Sequence, residues 1–300
     1  MHLKQVFENL ETILRPEDEV IIIDDNSIDS TFELIRIWCE NFPNRKVLKN
    51  PGQGLVDALN FGIANASMEW IARFDADDLY QKSRIEKQLE NIHDDSVAIF
   101  SDYTFRNAHG KYLGKIPSAV FPKLTELSVL SAQRLPHPVA LLRKSAVIAA
   151  GGYLSEEFPA EDLGLWIRLM AFGTFSSVPQ PLLSYTLSSN SVSAERKLQM
   201  IEMRNQLLKD PVQLHSVLNQ IEFSLLGIFR KYSQSSNTWE RLMFFYRDLW
   251  SASKLNYLTS KQRHQMNLGI LLISLNPLTY TVILKHLYFL RARSKFRRAN

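Results

Sequence analysis

Carboxylates gather at three places in this sequence, each where an α/β fold could use them. The first cluster is Asp24, Asp25 and Asp29 in VIIIDDNSIDST. Asn26 and Ser27 suit a turn. Asp29 or Ser30 suits the N-cap of a following helix, because a short oxygen-bearing side chain can accept from its first free backbone N–H groups. The chemical alternative is that Asp25 accepts a hydrogen bond from a nucleobase edge. The second cluster is Asp75, Asp77 and Asp78 in WIARFDADDLY. Acids this close repel one another, and a fold that holds them together usually has a cation to offset the repulsion. Asp75 and Asp77 point the same way in an extended chain and could share a divalent ion. Mg2+ and Mn2+ are hard ions that take one or two carboxylates and complete their shell with substrate phosphate. A solvated surface turn is the plainer alternative. Arg73, just upstream, is either a phosphate contact or a partner for one of these acids. The third cluster, Glu161 and Asp162, opens EDLGLWIRLMAFG. Acids in a helix's first turn are stabilised by its dipole, so capping alone would explain the pair. The same dipole would keep Asp162 ionised, as a general base toward a hydroxyl must be.

The elements that would position these acids follow from hydrophobic periodicity. Leu3, Val6, Phe7, Leu10, Ile13 and Leu14 recur at helical spacing before Pro16. Val20–Ile23 is a continuous β-branched run, as expected of a parallel strand buried on both faces. Helices are predicted from about Ser30 to Glu40, Gly54 to Asn65 and Ser83 to Ile92, with strands near Lys46–Leu48, Trp70–Phe74 and Val97–Ser101. Two of the acid clusters thus follow strands directly, and open α/β sheets bind ligands at the carboxyl ends of their strands. From Asp102 to Pro136 the pattern loosens into an insertion or hairpin. A strand at Val139–Leu142, a Gly151–Gly152 turn, a helix over Glu161–Phe172 and an extended stretch over Pro179–Thr186 complete a first domain. The fold class is α/β, with a boundary expected within Ser188–Ser193 and a helical region beyond it.

Charge divides the chain in the same place. Residues 1–190 carry 18 Lys and Arg against 25 Asp and Glu, whereas residues 191–300 carry 17 against 6, although the whole chain is only +4. The acidic part suits metal and sugar chemistry, and the basic part suits an anionic surface. Hydrophobic residues at 45% and charged residues at 22% exclude a disordered chain. Cys39 alone cannot form an internal disulfide, and an amphipathic, acid-containing stretch follows Met1 instead of an apolar signal core, so a reducing, cytoplasmic setting is expected. The uncharged run from His264 to Leu284 contains Asn267, Asn276 and Pro277, too polar for a spanning helix. The histidines lack metal-ligand spacing, and His137 between Pro136 and Pro138 reads as structural. No Walker loop, nucleophile elbow or dinucleotide glycine fingerprint occurs. Gly52 and Gly54 before a helix could approach a phosphate, a weak signal on its own.

Taken together, five blocks in order resemble glycosyltransferase family 2. They are DDNSIDST at 24–31, NPGQGLVDALNFGIANASMEWIARFDADD at 50–78, SRIEKQLE at 83–90, RLPHPVALLRKSAVIAAGGY at 134–153 and EDLGLWIRLMAFG at 161–173. The resemblance covers roughly the first 190 residues. It implies a GT-A fold, Rossmann-like with a mostly parallel sheet, as a nucleotide-sugar-binding and catalytic domain over 1–190, followed by the basic helical region 191–300. It also implies inverting transfer from a nucleoside diphosphate sugar, with UDP the commonest, to a hydroxyl of a lipid-linked glycan. The products would be surface polysaccharide: O-antigen, capsule or exopolysaccharide. By motif, Asp25 would contact the base, Asp75 and Asp77 would be the metal-binding DxD acids for Mn2+ or Mg2+, and Asp162 would be the catalytic base. Arg73, Asp78 and Glu161 would complete the donor site.

In one respect the chain departs from the family pattern. Members open with an apolar strand and a Tyr-Asn-like turn, whereas this chain begins inside the following helix, so a strand beside Val20–Ile23 is expected to be missing. A sugar-nucleotide-binding protein with little or no turnover is therefore the alternative. A nucleic-acid binder is a third reading, but no recognised motif supports it. The cations near the C-terminus (Lys285, Arg291, Arg293, Lys295, Arg297 and Arg298) are interleaved with Leu284, Leu287, Tyr288, Phe289 and Leu290, which favours a helix lying on the inner face of the plasma membrane.

Overall fold

The computed structural model of the chain describes residues 3–116, 118, 129, 135–187 and 195–208. The first half alternates as the sequence predicts: helix α1 (Leu3–Ile13), strand β1 (Val20–Asp24), α2 (Thr31–Glu40), β2 (Arg45–Lys49), α3 (Gly54–Asn65), β3 (Trp70–Ala72) and, after a short strand β4 (Leu79–Tyr80) that the sequence did not announce, α4 (Arg84–Leu89). β5 (Ser96–Asn107), β6 (Tyr112–Ile116), β7 (Leu141–Arg143), α5 (Lys144–Ala149), α6 (Glu161–Leu169), β8 (Thr174–Leu187) and α7 (Lys197–Leu207) follow. The domain boundary expected at 188–193 and the basic stretch 285–300 lie outside the described residues, as do most of 117–134 and everything beyond 208. No helix among the described residues is long and apolar enough to cross a membrane.

The sheet differs from the expectation of a mostly parallel one. β1 and β2 pair parallel in a two-stranded sheet of their own. The remaining strands form a mixed sheet in the order β3-β7-β5-β8-β4, with β6 added on β5. Within it only β5 and β8 run parallel; β3–β7, β5–β7, β4–β8 and β5–β6 are antiparallel. The cause is local. β5 runs on past Ser101 into the stretch expected to be an insertion, turns at Gly110 and returns as β6. β7 then enters from the opposite end and inserts between β3 and β5. Val139, expected to begin that strand, instead ends a 3-10 turn over His137–Val139.

β5 is buried on both faces, and this positions the site. On one face Ile99 packs with Tyr80, Ile85, Val139, Leu141 and Leu182. The next residue, Phe100, points the other way, as alternate strand residues must, and meets the edge of Trp166 on α6 at 5.1 Å and the ring of Phe175 at 5.8 Å. Leu165, Trp166 and Leu169 are fully buried on this side. Truncating such a tryptophan typically costs about 3–5 kcal/mol, so the helix that begins with Glu161 and Asp162 is firmly seated. α7 packs against α6 in turn.

Elsewhere the packing is looser. α1 stacks Phe7 on Trp38 of α2 at 4.8 Å, and the Arg45 guanidinium lies 4.1 Å from the Trp38 ring centroid while pairing with Glu11 at 2.5 Å. Ile21–Ile23 of β1 and all three residues of β3 are only half-buried. Among the described residues β1 has a strand partner on one edge alone.

Candidate active site

The turn after β1 is a closed hydrogen-bonded unit. Asp24 is buried and accepts from the Ser27 N–H at 3.1 Å. Asp25 is exposed and accepts from Asn50 Nδ2 at 2.7 Å and from the Gly54 N–H at 3.0 Å, so it ties β1 to the start of α3. Asp29, and not Ser30, accepts from the Thr31 N–H as α2 begins. The two glycines before α3 serve this geometry. Gly54 has φ +83°, which a side chain would resist, and a Cβ on Gly52 would lie 2.2 Å from the Asp57 carboxylate. The Gly54 N–H is already used by Asp25, so the pair is accounted for without a phosphate.

The turn after β3 is built differently. One ligand oxygen from each of Asp75, Asp77 and Asp78 lies within 4.8 Å of the others. β8 pins the turn: the Thr186 N–H donates to Asp78 Oδ1 at 2.7 Å, and its hydroxyl donates to the Asp77 carbonyl at 2.5 Å. Arg106 on β5 also reaches that carbonyl, at 3.4 Å. Asp78 is only 4% exposed, and its second oxygen has no hydrogen-bond partner. Burial, then the charges of Asp77 and Asp75, push its carboxyl up to about 8. Burial and Asp75 likewise raise Asp77. Three acids held together, one with an orphaned buried oxygen, fit a divalent cation. Arg73 pairs with Asp75 at 2.5 Å, so of its two alternatives the ion pair is the one formed here.

Asp162 and Glu161 stand at the head of α6. The Asp162 Oδ1 accepts the Leu163 N–H at 2.7 Å. Burial raises the Asp162 carboxyl, while the Leu163 N–H and Arg204 of α7 pull it down. Glu161, 6% exposed, is pushed up to about 7 by burial and by Asp162, and its Oε2 has no partner. The field of Asp75 reaches both acids, so the second and third clusters share one electrostatic environment.

Between them lies a part of the site that the sequence did not announce. Asn60 on α3 grips Tyr153 by both main-chain groups, at 2.8 and 2.9 Å. The Tyr153 hydroxyl meets His137 Nε2 at 2.7 Å. Burial and the nearby Arg73 cation hold His137 far below its usual range. Tyr80, Asn9, Thr186 and Arg106, which shape the acid turn, sit in ordinary apolar or polar positions and carry no sequence signal.

Comparison with known proteins joins these observations. The pattern of Glycosyl transferase family 2 matches residues 2–144. An uncharacterised glycosyltransferase of Haemophilus influenzae is 31% identical over 202 residues, 65% of this chain and 73% of that protein. The amylovoran biosynthesis glycosyltransferase AmsE of Erwinia amylovora is 26% identical over 217 residues, 69% and 79% of the two chains. In fold, the chain is similar to S. aureus TarS 1-349 crystallised with UDP-GlcNAc, with a TM-score of 0.57 at 14% identity, covering 100% of this chain and 88% of that one. A shared fold, an ordered set of motifs and a relative similar over most of its length lead to one conclusion: this chain belongs to glycosyltransferase family 2.

Proposed function

We propose that the chain transfers a sugar, with inversion, from a nucleoside diphosphate sugar to a hydroxyl of a lipid-linked glycan acceptor in surface-polysaccharide synthesis. The observation that carries this is the convergence of the Asp75, Asp77 and Asp78 carboxylates in the turn after β3. Asp77 and Asp75, with Asp78 behind them, would hold Mn2+ or Mg2+, which when bound supplies positive charge to a leaving diphosphate. Asp25 orients the base of the donor from the end of β1. Arg73 and Glu161 border the sugar-diphosphate, and Asp162 takes the proton of the acceptor hydroxyl as that oxygen attacks the anomeric carbon from the opposite face. The name of AmsE and the UDP-GlcNAc held by TarS support a surface-polysaccharide role and a UDP donor.

The test is transfer by the full chain from UDP-, GDP- and dTDP-sugars to polyprenyl-diphosphate glycans, with Mn2+ present and then chelated. The anomeric configuration of the product is read by NMR. Metal-dependent, inverted product is expected, and a retained configuration would overturn the mechanism. The second reading, donor binding without turnover, draws on the division of the sheet, which leaves Asp25 just after β1 and the acid turn on a separate sheet. Donor binding by calorimetry with no product from any acceptor would favour it. On the transferase reading domain 1–190 carries the chemistry, and the basic region 191–300 holds the protein on anionic membrane at the cytoplasmic face. Deleting residues 285–300 should release it from anionic vesicles, and unchanged, salt-insensitive partition would remove that role.

A further inference from the structure

Arg84, in the SRIEKQLE block, is 0% exposed, yet none of the ion pairs among the described residues involves it. A buried guanidinium without a carboxylate is costly, and fully buried arginines are usually paired. What surrounds this one is the acid turn. Its Nη2 donates to the carbonyl of Arg73 at 2.6 Å, at the entrance of the turn, and more weakly to the carbonyl of Ala140 at 3.4 Å. Its Cζ lies 4.1 Å from the Phe74 ring centroid and 4.7 Å from that of Tyr80, so the cation rests on aromatic faces at both ends of the turn. Nη1 is left with no hydrogen-bond partner.

The same unit extends in two directions. Tyr80 accepts the Asp75 N–H on its phenolic oxygen at 2.7 Å, while its main chain is held by Asn9 of α1 at 2.9 and 3.1 Å. Arg84 Nε donates to Gln88 Oε1 at 3.1 Å. Gln88, also 0% exposed, donates to the carbonyls of Ile99 on β5 and Val139 in the 3-10 turn at 2.8 and 2.7 Å. Buried hydrogen bonds therefore run from β5 and the His137 turn through Gln88 and Arg84 to the carbonyl of Arg73, and the contact of Arg84 with the Tyr80 ring links them to the backbone of Asp75.

We infer that Arg84, acting through Phe74 and Tyr80, is a positioning residue that sets the shape of the Asp75–Asp78 turn so that its carboxylates converge on one cation. A guanidinium suits the role because it is planar, donates in several fixed directions and stacks on rings, which an ammonium does less well. The inference rests on the metal reading of that turn for its purpose, but not for its geometry.

The test uses the full-length protein with Tyr80→Phe, which removes one hydroxyl from a retained ring, and Arg84→Lys, which keeps the charge. Amide hydrogen exchange over residues 73–80 and titration with Mn2+ alone are measured beside thermal unfolding. Exchange in the turn should quicken about tenfold or more in both variants. Mn2+ affinity should fall about 10-fold to 100-fold, the range seen when the partners of metal ligands are lost, with the unfolding midpoint of Tyr80→Phe nearly unchanged. Exchange that is the same in all three proteins overturns the inference. So does a turn that loosens while Mn2+ affinity holds, because Arg84 would then serve the fold alone. Wild-type protein that binds no Mn2+, with a protected turn that loosens in the variants, would remove the metal reading and leave the positioning of the turn standing.

Discussion

The turns after β1 and β3 are both acidic and both end a strand, yet they solve the problem of clustered carboxylates in opposite ways. After β1, Asp24, Asp25 and Asp29 each accept backbone or amide N–H groups, and the turn is complete without a ligand. After β3, Asp78 keeps an orphaned oxygen and Asp77 and Asp78 are held above their ordinary protonation range. Acidic composition is common to the two; what separates them is whether the protein itself supplies the donors. A turn left short of donors keeps a carboxylate oxygen available to a cation.

The largest expected effect tests that contrast directly. Asp77→Ala should abolish transfer while the protein stays folded, and full activity of this variant in the presence of chelator would dissolve the distinction between the turns. Asp162→Asn comes next: it is nearly isosteric but cannot take a proton. Donor binding should persist while turnover falls about 10²-fold to 10⁴-fold, the usual contribution of a general base. Equal losses of binding and turnover would instead make Asp162 a helix cap.

A third effect is read from stability. Glu161 is raised from 4.5 to about 7, so the folded state binds more protons than the unfolded chain between those values. Glu161 should therefore contribute a fall in the stability of the ligand-free protein of about 1–3 kcal/mol as pH rises from about 4.5 to about 7, beside the fall from Asp78, and Glu161→Gln should make the slope shallower. Thermal unfolding at pH 5 and pH 8 checks this, and a wild-type slope retained in the variant would assign it elsewhere. The smallest effect belongs to the satisfied turn. Asp25→Asn keeps one oxygen acceptor, so it should cost about 1 kcal/mol of stability and weaken donor binding only severalfold, leaving Mn2+ affinity unchanged. A loss of Mn2+ binding would show that the two turns are coupled.

The elements were largely legible because burial imposes period. The β-branched run Val20–Ile23 and the apolar stripe of α1 appear where the residues place them. Strand direction was not legible: Leu141–Arg143 reads the same whether it enters the sheet parallel or antiparallel, and only its pairing with both β3 and β5 decides. The length of β5 was missed because Asp102, Thr104 and Arg106 look like loop residues until β8 is laid beside them. Within the site, sequence motifs located the acids but not their supports. Tyr80 and Arg84 matter through contacts with residues that come together only after folding, and nothing in their own identity distinguishes them from a core tyrosine or a surface arginine.

One helix bears on all of this. α3 begins at the N–H that Asp25 accepts, and two turns later its Asn60 grips Tyr153 beside His137. At 1.5 Å per residue, six residues set these two anchor points about 9 Å apart along a rigid axis. The helix is in effect a gauge block between the turn after β1 and the Tyr153–His137 pair. Inserting or deleting one residue in it would rotate one anchor by about 100° relative to the other, as 3.6 residues per turn require. The length of α3 thus sets the spacing and relative orientation of the Asp25 turn and the Tyr153–His137 pair, independently of the residues within either.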